Sequence, residues 1–194
     1  YPLYLIFGVL PSIIWLLFYL RRDAHPESNK MILKIFFYGM LAALPAILLE
    51  LGAYDVISGL NIPSSVISIL NIFIAVALVE ELLKYLVVRA KALKSPEIDE
   101  PLDIMLFMII AALGFAASEN ILIMFSMGPN FVFGETFSIS VFRFLGATFL
   151  HTLSSGLLGF FLAIAIYKNK GGWKIFLSGF IIAVLLHGLY NFSI

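Results

Sequence analysis

The chain contains no cysteine. That excludes disulfides, zinc-thiolate centres and any thiol nucleophile. Charge is nearly as scarce: Asp, Glu, Lys and Arg make up 12% of 194 residues, against 62% hydrophobic ones, and mean hydropathy is +1.06. A domain whose exterior meets water does not reach such values, so most of this surface faces a lipid bilayer. Twelve basic and twelve acidic residues cancel, and no nucleic acid is expected among the partners. There is no HExxH of a zincin, no GxSG of a rhomboid-like serine protease and no GxGD of a presenilin-type aspartyl protease. No internal repeat, low-complexity tract or soluble domain is visible. The first residue is Tyr1 rather than Met, so the start reads as trimmed, and a further N-terminal segment is compatible with it.

What the chain does have is six apolar runs of about 20 residues or more, the length that crosses a bilayer as a helix. They extend approximately from Pro2 to Leu20, Met31 to Leu51, Ser64 to Val88, Leu102 to Met127, Phe137 to Tyr167 and Trp173 to Phe192. The expected fold is all-α: a polytopic membrane protein of about six transmembrane helices around a buried polar site, forming a single domain over 1–194. Basic residues fall in alternate loops. Arg21, Arg22 and Lys30 occupy the first, Arg89, Lys91 and Lys94 the third, Lys168, Lys170 and Lys174 the fifth, while the second and fourth have none. By the positive-inside rule both termini face outward. The polar stretch Lys94 to Asp103 reads as a cytoplasmic connector, with Asp103 at the start of the fourth helix, where negative charge is favoured.

Six ionisable residues interrupt the apolar runs: Glu80, Glu81, Lys84, Glu119, His151 and His187. A charge at the centre of a spanning helix costs about 2.5–3.5 kcal/mol on insertion scales, so such a group must be paired, hydrated or bound to a metal. Glu80 and Lys84, Phe115 and Glu119, His151 and Ser155, and His187 and Asn191 are each four residues apart. Each pair therefore shares a helix face. Small residues beside them, including Gly114, Gly156 and Gly188, permit close helix approach. At a rise of about 1.5 Å per residue the cluster lies between the midplane and the outer leaflet.

The residue types suit amide hydrolysis, which needs water, a base and donors for the tetrahedral oxyanion. Glu80 or Glu81 is the expected base, with Lys84 orienting it. Glu119, His151 and His187 are the expected ligands of a zinc ion, two histidines and a carboxylate being a catalytic donor set. Asn191 or Asn120 would donate to the oxyanion or orient a ligand. A metal-free version keeps the glutamates as base and uses the histidines as oxyanion donors. Ser154 and Ser155 read as helix-packing residues. Arg143 either reaches lipid headgroups or pairs with Glu119. Glu50 and Asp55 read as outer-interface residues, and His25 as a solvated loop residue. Two other classes use intramembrane Glu, Lys and His or a polar helix-binding face: a proton-coupled transporter and a catalytically silent scaffold for a partner helix. A scaffold has no physical need for three glutamates with two histidines, and no inverted repeat or broken helix suggests a transport route.

The strings VEELLK (Val79 to Lys84), GFAASEN (Gly114 to Asn120), FLHTLSSG (Phe149 to Gly156) and HGLYN (His187 to Asn191) resemble, in order, the motifs of the PrsW intramembrane proteases, distant relatives of the CAAX prenyl endopeptidases. The resemblance spans the third to sixth runs. It implies an intramembrane peptidase of the prokaryotic plasma membrane acting on a single-pass membrane protein. In this branch it implies first-site cleavage of a transmembrane anti-sigma factor and release of an envelope stress response. Lys84 and Glu119 stand where the CAAX branch has an arginine and a histidine, so that branch's residue roles and prenylated substrates are not carried over. Nothing in the sequence sets an oligomeric state.

Overall fold

The computed structural model describes residues 2–21, 25–128, 132–168 and 171–194. Tyr1, Arg22 and Lys170, which entered the reading of the chain start and of the loop charges, lie outside the described residues. Among the described residues there is no strand. Six helices are long and apolar enough to cross a membrane: α1 Pro2–Leu20, α2 Asn29–Ser58, α3 Ser64–Lys91, α4 Pro101–Ser126, α5 Phe133–Tyr167 and α6 Gly172–Ser193. The all-α polytopic architecture read from hydropathy is the one observed.

α4 is the central post. Its residues from Ile104 to Ala117 are buried without a break except at Met105, as expected of a helix that is apolar all round and surrounded by others. It packs against α1, α2 and α5. Its start is fixed by polar chemistry: Asp103 Oδ2 accepts from the backbone N–H of Glu100 at 2.7 Å and of Asp99 at 3.0 Å. Asp103 is therefore a capping residue. At the α2/α4 crossing both helices present glycine. A Cβ on Gly114 would collide with the carbonyl oxygen of Phe36, and one on Gly39 with that of Ala111.

Two departures from the sequence reading matter for the site. First, α2 continues to Ser58 before Gly59 closes it through a hydrogen bond to the carbonyl of Asp55. Asp55, which lies beyond the second span as read from the sequence, is thus on the same helix as Glu50. Hydropathy marks where a chain leaves lipid, whereas the helix persists through Leu49, Leu51 and Ala53, all compatible with it. Second, α3 and α5 are not uniform. Asn71–Leu78 and Phe144–Thr148 are wound as π-helix. Each wide turn ends just before site residues, Glu80 on α3 and His151 on α5, and it rotates the faces that follow relative to those that precede. Trp15 of α1 donates its indole N–H to the carbonyl of Phe144 at 2.9 Å, at the start of the second wide turn.

The first and third loops meet at one end of the bundle. Ser28 donates its hydroxyl to Glu97 at 2.8 Å, His25 Nδ1 lies 2.8 Å from Glu100, and Lys34 Nζ donates to the Lys91 carbonyl at 3.4 Å. At the other end Tyr4 donates to the carbonyl of Gly128 at 2.9 Å.

The glycine crossing yields a test. Gly39→Leu and Gly114→Leu should each lower the thermal midpoint of the detergent-purified protein, since overpacking a filled contact costs about 1–3 kcal/mol or more. Gly52→Leu should not, because a Cβ there meets nothing within 4 Å. Equal midpoints for all three variants would contradict the close crossing.

Candidate active site

Four helices bring the intramembrane charges to one place: α3 supplies Glu80, Glu81 and Lys84, α4 supplies Glu119, α5 supplies His151, and α6 supplies His187. Lys84, whose side chain is fully buried, is the hub. Its Nζ lies 3.2 Å from Glu80 Oε2, 2.9 Å from Glu81 Oε1 and 2.8 Å from His151 Nδ1. It also stands 4.7 Å from the centroid of the Phe115 ring. The four-residue spacing of Phe115 and Glu119 thus places an aromatic face on the ammonium and a carboxylate one turn further along.

Glu80 and Glu81 are neighbours in sequence but differ in surroundings. Glu81 Oε1 accepts from Lys84, from Ser154 at 3.0 Å and from His187 Nδ1 at 2.9 Å, and Glu81 Oε2 accepts from Ser155 at 2.7 Å. Ser154 and Ser155, read from the sequence as packing residues, are donors to a buried carboxylate instead. The only hint was their position three and four residues beyond His151. Glu80 has Lys84 as its one hydrogen-bond donor among the described residues. It also lines a cavity of about 60 Å³ together with Glu119, Glu50 and Phe115.

The partners fix the ring orientations. A carboxylate only accepts, so His187 Nδ1 carries a hydrogen and its Nε2 is free to accept. An ammonium only donates, so His151 Nδ1 accepts from Lys84, and His151 Nε2–H donates to Glu119 Oε2 at 2.9 Å. The same Glu119 oxygen is 2.9 Å from Arg143 Nη2. Arg143 Nε donates to Asn120 Oδ1, and Asn120 Nδ2 donates to Thr148 Oγ1 at 3.1 Å. Arg143 therefore pairs with Glu119 rather than reaching to headgroups. Asn120 braces that pair to the wide turn of α5. Thr148, at the end of that turn, carried no signal in the sequence.

Glu80, His151 and His187 can each offer one atom to a metal ion, all within 4.8 Å of one another. Glu80 Oε2 lies 3.7 Å from His151 Nδ1 and 3.8 Å from His187 Nε2. Ligands at about 2.0–2.1 Å from a tetrahedral ion are about 3.4 Å apart, so the set fits after a small closure once the Lys84 ammonium, 2.8 Å from His151 Nδ1, gives up that nitrogen. Charge agrees: Glu80, Glu81 and Glu119 face Lys84 and Arg143, three carboxylates against two cations. The sequence grouped Glu119 with the two histidines. In the structure it is Glu80 that lies near both rings, while Glu119 contacts His151 through the opposite ring nitrogen. The sixth helix brings His187 in but not its partner four residues on. Asn191 is half-buried and has no side-chain hydrogen bond among the described residues.

The sequence profile described as PrsW family intramembrane metalloprotease matches residues 27–194. The chain is similar to Protease PrsW of Geobacillus kaustophilus, 29% identical over 95% of this chain and 76% of that protein. It is 28% identical to Protease PrsW of Oceanobacillus iheyensis, over 95% and 80%, and 27% identical to Protease PrsW of Bacillus subtilis, over 95% and 79%. No solved structure matches the chain.

Removing the hub should expose how much the bundle relies on it. Lys84→Met leaves two buried carboxylates without their cation and should destabilise the protein by about 3–5 kcal/mol, read as a lower midpoint in denaturant or heat. Adding Glu81→Gln should restore part of that loss. Wild-type stability of Lys84→Met alone would contradict the pairing.

Proposed function

We propose that this chain, which belongs to the PrsW family of intramembrane metalloproteases, hydrolyses a peptide bond of a membrane-anchored protein within the bilayer. In this reading Glu80, His151 and His187 hold a divalent metal and Glu119 is the general base. The observation that carries it is the approach of Glu80 Oε2 to a ring nitrogen of each histidine, at 3.7 and 3.8 Å. Zinc suits two imidazoles and a carboxylate, and when bound it polarises the scissile carbonyl as a Lewis acid.

The chain's own residues divide the remaining work. Glu81 holds His187 through Nδ1 and thereby directs Nε2 to the centre, the usual outer support of a ligating histidine. Lys84 would release His151 Nδ1 to the metal and keep its positive charge beside Glu80 and Glu81. Arg143 and His151 hold one oxygen of Glu119. Its other oxygen takes a proton from the attacking water as the water's oxygen bonds to the carbonyl carbon. The proton then passes to the departing amide nitrogen as the C–N bond breaks. Glu119 lines the same cavity as Glu80, so base and metal-holding carboxylate border a common space.

One observation favours a second, metal-free reading. The Lys84 ammonium lies 2.8 Å from His151 Nδ1 and 3.2 Å from Glu80 Oε2, on the side an ion would share. There Glu80 is the base and the histidines donate to the oxyanion.

The substrate is a single-pass membrane protein whose helix unwinds near the site, because a helical amide is shielded by its own hydrogen bonds. The family resemblance points to a regulator such as a transmembrane anti-sigma factor. The gathering of the basic loops at one end supports a prokaryotic plasma-membrane orientation with both termini outside. All six helices act as one catalytic unit.

Metal content separates the roles. Detergent-purified wild type should carry near-stoichiometric metal by mass spectrometry, and Glu80→Gln and His187→Ala should lose it. Glu119→Gln should keep the metal while cleavage of a reconstituted single-pass substrate falls about 10²–10⁴-fold, the usual worth of a general base. Loss of metal in Glu119→Gln with retention in Glu80→Gln would exchange the two roles. Cleavage by folded, metal-free wild type would establish the second reading.

A further inference from the structure

Hydrolysis consumes water, and the site is roofed by lipid-facing helices. The α2 residues Ala43, Ala46, Ile47 and Glu50 line the cavity of about 60 Å³ that also touches Glu80 and Glu119. Their spacing puts them on one helix face. The cavity exists because that face is built from small residues: Ala43 and Ala46 are buried against Phe115 and leave the space a larger side chain would fill. One turn before Ala43 the same face is sealed, since Gly39 lies against the backbone of Ala111. One turn beyond Ala46 stands Glu50, half-buried and with no ion-pair partner among the described residues. An unpaired carboxylate on an otherwise apolar spanning helix requires water or a partner. An ordered water needs about 10–15 Å³ and two to four polar neighbours, and this cavity exceeds that volume with three carboxylates on its wall. By contrast, the cleft of about 380 Å³ between the start of α4 and the end of α5 is lined by none of the site residues.

We infer that the face of α2 from Ala43 to Glu50 is the water passage to the active site, closed at Gly39 and open past Glu50 toward the end of the bundle away from the basic loops. Glu50 hydrates the mouth, and Ala43 and Ala46 keep the bore clear. The inference rests on the hydrolytic reading for its purpose but not for its test.

Because the chain has no cysteine, single cysteines report accessibility without background. The probe is Ag⁺, a cation of about the size of water that captures thiolates, applied to the outside of intact cells. Capture is scored as protection from maleimide labelling after denaturation. Ala46→Cys should be captured at least ten times faster than Leu48→Cys, a lipid-facing position of the same helix that is 72% exposed. Glu50→Leu added to Ala46→Cys should slow capture at least tenfold. Ile47→Cys, also on the cavity wall, serves if Ala46→Cys does not fold. Capture no faster than at Leu48→Cys would overturn the passage, as would capture only in inverted vesicles. Unchanged capture with Glu50→Leu would overturn the role of Glu50. None of these readouts uses cleavage, so an inactive protein with an open passage would count against the hydrolytic reading alone.

Discussion

A single buried ammonium governs the arrangement of this bundle. Lys84 and Glu81 are both fully buried, and taking such a pair out of water costs more than its mutual attraction returns unless the remaining lone pairs are satisfied. That condition reaches across the molecule. The two oxygens of Glu81 need donors, and they come from Ser154 and Ser155 of α5 and His187 of α6. The ammonium needs further acceptors, and they come from Glu80 and from His151 of α5. Satisfying one ion pair thus fixes the azimuth of three helices. Lipid offers no hydrophobic force to drive helices together, so directional polar contacts and close packing carry a larger share of specificity than in a soluble domain.

Close packing is supplied by α4 and its glycines. With Gly39 and Gly114 each facing the backbone of the opposite helix, α2 and α4 cross with no room for a side chain at either position. The space that opens one turn further along α2 is then a consequence of the sequence changing from glycine to alanine and glutamate on the same face. The wide turns of α3 and α5 do the complementary work. Without Asn71–Leu78 and Phe144–Thr148 the apolar faces before them and the charged faces after them would follow one helical period. The extra winding allows each helix to pack by one face and deliver its site residues by another.

These facts explain what the sequence could and could not disclose. The six spans were legible because about 20 apolar residues have one physical meaning in a chain so poor in charge. The membership of Glu80, Glu81, Lys84, Glu119, His151 and His187 in one cluster was legible because each is too costly in lipid to be alone. Beyond Lys84 with the glutamates and Arg143 with Glu119, their detailed partners were not. Periodicity assumes a uniform α-helix, and the two wide turns break that assumption immediately ahead of the residues concerned. Ser154 and Ser155 belong to a small-residue string that serves equally for packing, so hydrogen bonding to Glu81 left no mark on it. Asp55 fell outside the second span because the apolar run stops at Leu51, although α2 continues to Ser58.

The contrast between Glu80 and Glu81 is the feature from which the chemistry follows. Adjacent residues on a helix point about 100° apart, so one carboxylate turns into the protein and the other toward a space. Glu81 faces four donors, three on Oε1 and one on Oε2, which makes it a fixed support. Glu80, with one donor, and Glu119, held by a single oxygen, both border the cavity. A stabilising charge network gains by filling every lone pair, and this one leaves unfilled the two carboxylates that border a water-sized space. Unspent acceptor capacity beside two imidazoles destabilises a buried site, and it is also what activation of water requires. The division between Glu81 on one side and Glu80 and Glu119 on the other therefore separates the part of the cluster that holds the helices from the part to which the proposed function assigns hydrolysis.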